Sequence, residues 1–145
     1  MPFRFSLASV LRYRESMEKR EEVALQAIQL GVARARRRVD ELTDEMTRAW
    51  REREKALERS VQAARLQAMQ VEIDAAVAAK QTAAETLQTM TRQRDAQMKS
   101  YKVAHRERQM LTDLLAQKKS AYEQELARRQ QKTVDDMMAS RWRRK

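Results

Sequence analysis

Cysteine is absent from this 145-residue chain, glycine and proline occur once each, at Gly31 and Pro2, and aromatic residues make up 5% of it. Without cysteine there is no disulfide framework, no thiolate metal site and no thiol redox chemistry, which fits a reducing, cytoplasmic compartment. One glycine and one proline leave few turns, so long helices are the default expectation. The single histidine, His105, excludes a multi-histidine metal centre and reads as a seam-edge residue. No apolar run is long enough to span a bilayer, and Met1–Ser6 leads straight into charged sequence, so neither a signal peptide nor a transmembrane helix is expected and membrane contact would be peripheral. Phosphate-cradling glycine loops and nucleophile elbows are missing as well. The acidic pairs Glu21–Glu22 and Asp135–Asp136 read as solvated helix face, because general acid–base work needs a desolvated site. A non-enzyme without cofactor or metal is expected.

What is present is periodicity. Leu25, Ile28, Val32, Ala35, Val39, Leu42, Met46 and Ala49 follow one another at alternating spacings of three and four, with Arg34, Arg36, Arg37, Arg38, Asp40, Glu41, Asp44, Glu45 and Arg48 between them. This is a coiled-coil seam that needs a partner helix, and its mean period implies a left-handed supercoil. Continued backwards, the seam runs through Glu21, Glu18, Arg14, Leu11 and Leu7, so its N-terminal part is partly polar and is expected to face a partner protein. Ser6 is the expected N-cap, with the helix starting near Leu7. Gly31 lies beside the seam, either as a tolerated weak spot or as a notch for a close contact.

The formal charge is +10, and 36% of residues are charged. Interleaved signs along residues 1–60 resemble a salt-bridge-laced coiled coil more than a nucleic-acid-binding face. The excess gathers late: Arg128, Arg129, Lys132, Arg141, Arg143, Arg144 and Lys145 face only Asp135 and Asp136 between Ala127 and the end. Trp142 sits within this basic run and suits a docking anchor, whereas Trp50 adjoins the seam.

Between Val61 and Thr91 only Arg65, Glu72, Asp74, Lys80 and Glu85 are charged, and the chain reversal is expected there, through a short bent helix around 65–79. A second, less apolar seam follows every seventh residue through Leu87, Arg94, Tyr101, Arg108, Leu115, Tyr122 and Arg129, with Met90, Met98, Ala104, Leu111 and Leu126 completing it. The expected fold is all-α, a single long antiparallel two-helix coiled-coil hairpin over residues 1–145. Helix one would run over about 7–60, the reversal within about 61–80 and helix two over about 80–140. A closure near 70–76 would set Leu25 against Tyr122, Val32 against Leu115 and Met46 against Tyr101. Phe3, Phe5, Arg12 and Arg14 would then pair with Lys132, Arg141, Trp142, Arg143 and Arg144 in one partner-binding tip.

Two segments resemble the flagellar export protein FliJ family and its virulence-secretion relatives of the YscO type. One is the N-terminal Phe3-Arg4-Phe5-Ser6-Leu7-Ala8-Ser9-Val10-Leu11-Arg12-Tyr13-Arg14-Glu15; the other is Gln131-Lys132-Thr133-Val134-Asp135-Asp136, ahead of a basic tail. The resemblance implies a helical hairpin similar to the stalk subunit of rotary ATPases. It also implies a component of the flagellar type III export apparatus at the cytoplasmic face of the inner membrane. The implied partners are the hexameric export ATPase near the paired termini, the cytoplasmic domain of the large export-gate membrane protein nearer the hairpin tip, and export chaperones. A virulence secretion stalk protein and a generic coiled-coil scaffold or dimer are the alternative readings.

Overall fold

The computed structural model describes residues 2–144 and contains two helices, α1 (Ala8–Glu58, 51 residues) and α2 (Ala63–Arg143, 81 residues). Both are rich in Ala, Arg, Gln, Glu, Lys and Leu, which lose little on entering a helix. The weaker helix formers are accommodated locally: the hydroxyls of Thr43, Thr47, Thr82, Thr86, Thr89 and Thr91 each donate to the carbonyl four residues back. The chain enters α1 through a backbone turn in which the Ala8 N–H donates to the Phe5 carbonyl at 3.1 Å.

The helices pack antiparallel as a hairpin, and the chain divides into two compact units. One joins the segment up to Arg20 with the segment from Lys102 onward; the other comprises Glu21–Tyr101. In the second unit, Leu25, Val32, Leu42, Ala56 and Ile73 are buried; among the described residues of the first, only Leu11 is. Ile28, Ala35, Val39, Met46 and Ala49 are half-buried along the same face of α1, as are Leu87 and Tyr101 along the facing side of α2. A pair of helices offers one seam and no second layer, so most apolar side chains beside it stay partly wet.

Reversal takes place over residues 59–62, earlier and more sharply than the composition suggests. Residues 65–79, expected as a bent connector before a second helix starting near 80, belong to α2, which already begins at Ala63. Their seam residues Leu66, Met69, Ile73 and Ala76 keep the alternating spacing that Leu87 and Met90 continue. The Gln62 carbonyl accepts from the N–H groups of both Arg65, at 3.0 Å, and Leu66, at 3.3 Å, which restarts the helix. No described residue has a positive φ, so the turn uses backbone conformations open to any residue and needs no glycine.

An early reversal changes the register. Glu21 meets Gln97, whose Nε2 donates to the Glu21 carbonyl at 3.1 Å and to its carboxylate at 2.5 Å. Gly31 lies against Met90: a Cβ built on Gly31 would overlap the Met90 methyl. The notch is therefore filled from within the chain. Val32 accordingly lies beside the Met90 turn rather than the Leu115 turn expected from a closure at 70–76.

Candidate partner-binding site

The polar stretch of the α1 seam does not face outward to a partner. Arg14 pairs with Glu107, and Glu18 accepts from Arg108 Nε at 2.5 Å and from Arg108 Nη2 at 3.4 Å. His105 Nδ1 lies 3.5 Å from the same Glu18 carboxylate. The charge-assisted bond from Arg108 holds the Glu18 carboxyl below its ordinary value, outweighing the opposing effect of burial, and His105 adds to the lowering. Arg108 also donates to Gln109 and Thr112 on its own helix, which fixes the guanidinium across the seam.

Beyond these charged layers the N-terminal segment closes on α2. The rings of Phe3 and Tyr122 lie 5.5 Å apart at 49°. Phe5 and Leu7 join them around a cavity of about 360 Å³, lined on the α2 side by Leu114, Lys118 and Tyr122. Phe3 and Phe5 thus form a clasp, and Arg14 lies in the seam, where its guanidinium is also 5.8 Å from the Tyr13 ring. Arg12 is exposed. The expected pairing of Phe3–Arg14 with Gln131–Lys145 is not what this unit contains: Phe3 meets Tyr122, Arg14 meets Glu107, and Lys132, Arg141, Trp142, Arg143 and Arg144 stand farther along α2 with no α1 residue against them. Lys145 lies outside the described residues.

The consequence is an overhang. Every residue from Glu123 to Arg144 is exposed, although α2 continues to Arg143, so roughly 30 Å of helix at 1.5 Å per residue runs on without a companion. Continuing the seam past Tyr122 by three and four residues meets Glu125, Arg129, Lys132 and Asp136, all polar. Leu126 and Arg129, expected in the seam, are exposed, Leu126 at 42%. The apolar side chains Leu126, Val134, Met137, Met138 and Trp142 follow a different face, and Trp142 is 86% exposed. Hydrogen bonds within the helix brace the polar side: Gln131 Nε2 to Asp135 Oδ1 at 3.0 Å and Arg129 Nε to Glu125 Oε1 at 3.4 Å. The signal in the sequence is the loss of apolar residues from the seam positions beyond Tyr122, at Glu125, Arg129, Lys132 and Asp136.

Among the described residues no group of three His, Cys, Asp or Glu side chains could hold a metal ion, and no helix is long and apolar enough to cross a membrane. Among the described residues the overhang exposes one tryptophan, two methionines and six cations: Arg128, Arg129, Lys132, Arg141, Arg143 and Arg144.

No curated protein and no solved structure matches the chain. A family model does, the one described as Flagellar FliJ protein, and it covers residues 3–145. From the Phe3 clasp to the basic end of the overhang, the whole of this two-helix chain belongs to the FliJ family, a family of flagellar protein export.

Proposed function

We propose that the protein binds the hexameric export ATPase of the flagellar type III apparatus through the overhang of α2, and promotes assembly and activity of that ring. The observation carrying this reading is the stretch Glu123–Arg144, a helix with an apolar face that no other described residue of its chain covers. A helix end of about 10 Å diameter enters a ring lumen where a broader domain would not. Trp142 supplies an apolar anchor, and Lys132, Arg141, Arg143 and Arg144 supply charge-assisted hydrogen bonds to carboxylates or carbonyls of the ring wall. The Phe3–Tyr122 clasp sets where the exposed helix begins.

In this reading the protein works by binding and has no chemistry of its own. It acts at the cytoplasmic face of the inner membrane and is a peripheral component there. The cytoplasmic domain of the large export-gate protein and the export chaperones are its further partners.

The test is co-purification with the export ATPase, followed by ATP turnover against added protein at two salt concentrations. The intact chain raises turnover, and a chain lacking residues 141–145 raises it less, with a weaker dependence on salt. Equal stimulation by both at both salt concentrations would move the contact elsewhere.

A further inference from the structure

The unit made by the two ends of the chain is held together differently from the rest. Among its described residues only Leu11 is buried, whereas the Glu21–Tyr101 unit buries Leu25, Val32, Leu42, Ala56 and Ile73. Two of its seam layers are charged, Arg14–Glu107 and Glu18–Arg108, and the side chains of the first pair are 38% and 44% exposed. A pair so exposed stabilises little. At its outer end, Phe3, Phe5 and Leu7 close on Leu114 and Tyr122 around a cavity of about 360 Å³ instead of a filled layer. Apolar groups that face a gap forfeit part of their dispersion attraction. Charge opposes closure as well, since residues 2–20 carry five Lys and Arg against two acids, and residues 102–122 also carry five against two.

The packing changes at Glu21, where Gln97 donates to both the backbone carbonyl and the carboxylate, and buried Leu25 follows one turn later. Before that point, Ala8–Arg20 contains neither glycine nor proline and so offers no hinge about which a rigid arm could swing. A helical segment this short is marginal in water once it loses its companion. Separation from α2 and unravelling are therefore one event.

We infer that the N-terminal segment up to Arg20 is a releasable strap, which leaves α2 and melts as one unit while the Glu21–Tyr101 unit stays folded. With the strap closed, α2 is bare only from Glu123 onward. With it open, the bare length begins at Lys102 and takes in Leu111, Leu114, Leu115 and Tyr122, an apolar row that the closed chain keeps half-buried. The strap thus sets how much of α2 is presented. The inference rests on packing within this chain and does not depend on the export reading.

Because the chain lacks cysteine, one introduced thiol reports one place. Leu11→Cys in the strap and Val32→Cys in the other unit are followed by their reaction with a disulfide reagent, each relative to its rate in denaturing urea. Leu11→Cys should become accessible about tenfold or more as often as Val32→Cys, and with a weaker dependence on added urea, since a local opening exposes less surface. Hydrogen exchange of the unsubstituted chain checks that the new thiol has not created the opening: the amides of Ala8–Arg20 should exchange as one group, ahead of those of Leu25–Ala49. E18L/R108L fills one charged layer with apolar side chains and should slow the Leu11→Cys reaction about tenfold, leaving that of Val32→Cys within about twofold. Equal opening and equal urea dependence at the two thiols would make the hairpin a single cooperative unit and overturn the inference. A smooth gradient of exchange along α1 is ordinary end fraying and overturns it too, as does an unchanged Leu11→Cys rate in E18L/R108L.

Discussion

Glu18 and Arg108 meet at seam positions, 2.5 Å apart, where a coiled coil ordinarily places two apolar side chains. With Arg14–Glu107 the pair makes consecutive charged layers in the unit formed by the two ends of the chain. Such layers stabilise little when partly exposed, but they are satisfied in one alignment only, and a slip of either helix by a heptad separates them. A double-mutant cycle on Glu18→Ala and Arg108→Ala is expected to give a coupling of about 0.5–1 kcal/mol by thermal melting. A coupling indistinguishable from zero would mean the layer is a surface contact.

The same pair sets an acid dependence. Because Arg108 depresses the folded-state pKa of Glu18, the bond contributes fully above the ordinary glutamate value, and its contribution is lost as pH falls through the depressed one. Melting temperatures of the intact protein and Glu18→Gln should differ most at neutral pH and converge as pH falls through the depressed value. A difference that stays constant over that range contradicts the assignment.

Leu42 is 4% exposed, whereas Arg36 is exposed to solvent. Leu42→Ala should cost about 2–3 kcal/mol, and Leu42→Asp more, since it buries an unpaired charge. Arg36→Asp should stay within about 0.5 kcal/mol. Circular dichroism melts of the three variants decide this, and similar losses at both positions would show that the buried face has been misplaced.

Gly31→Ala is expected to leave stability unchanged or raise it by up to about 1 kcal/mol. Alanine is the better helix former, and the atom in its way is the terminal methyl of Met90, which can swing aside. Gly31→Leu should destabilise by overfilling the same space. If alanine and leucine lower the melting temperature equally, Met90 is held rigidly.

Register has a direct assay. Cysteines at Glu21 and Gln97, joined by a short bismaleimide in dilute solution, should link within one molecule, because the Gln97 side chain reaches the Glu21 backbone. Cysteines at Val32 and Leu115 should not. The opposite result would restore a reversal near residues 70–76.

Much of the hairpin could be read from the sequence, because Leu25 to Ala49 repeat at three and four without interruption and such a stripe has few alternatives. The reversal could not. Its backbone avoids positive φ, so neither glycine nor proline marks it, and Arg59, Ser60, Val61 and Gln62 look like ordinary helix surface. The low charge of Val61–Thr91 points to a connector there instead, although Ala, Gln and Thr are compatible with a helix and Leu66, Met69, Ile73 and Ala76 keep its seam. A turn at residues 70–76 instead of 59–62 shifts every cross-helix pairing. It leaves Arg14 and Glu18 facing outward, whereas their counterions are Glu107 and Arg108, and it sets the N-terminal segment against the far end of α2, where no overhang remains.

The unequal lengths of α1 and α2 separate two thermodynamic problems that most helices solve together. The packed part of α2 has already met the entropic cost of nucleation, so each residue beyond Tyr122 need only propagate a helix that exists. Propagation from one fixed end melts from the other: order should decline from Arg143 inward, with hydrogen exchange slowest near Tyr122 and fastest around Trp142. A partner that grips the far end then does more than add contacts. It removes the gradient and turns a fraying end into a stiff lever whose fixed point is the clasp of Phe3 on Tyr122.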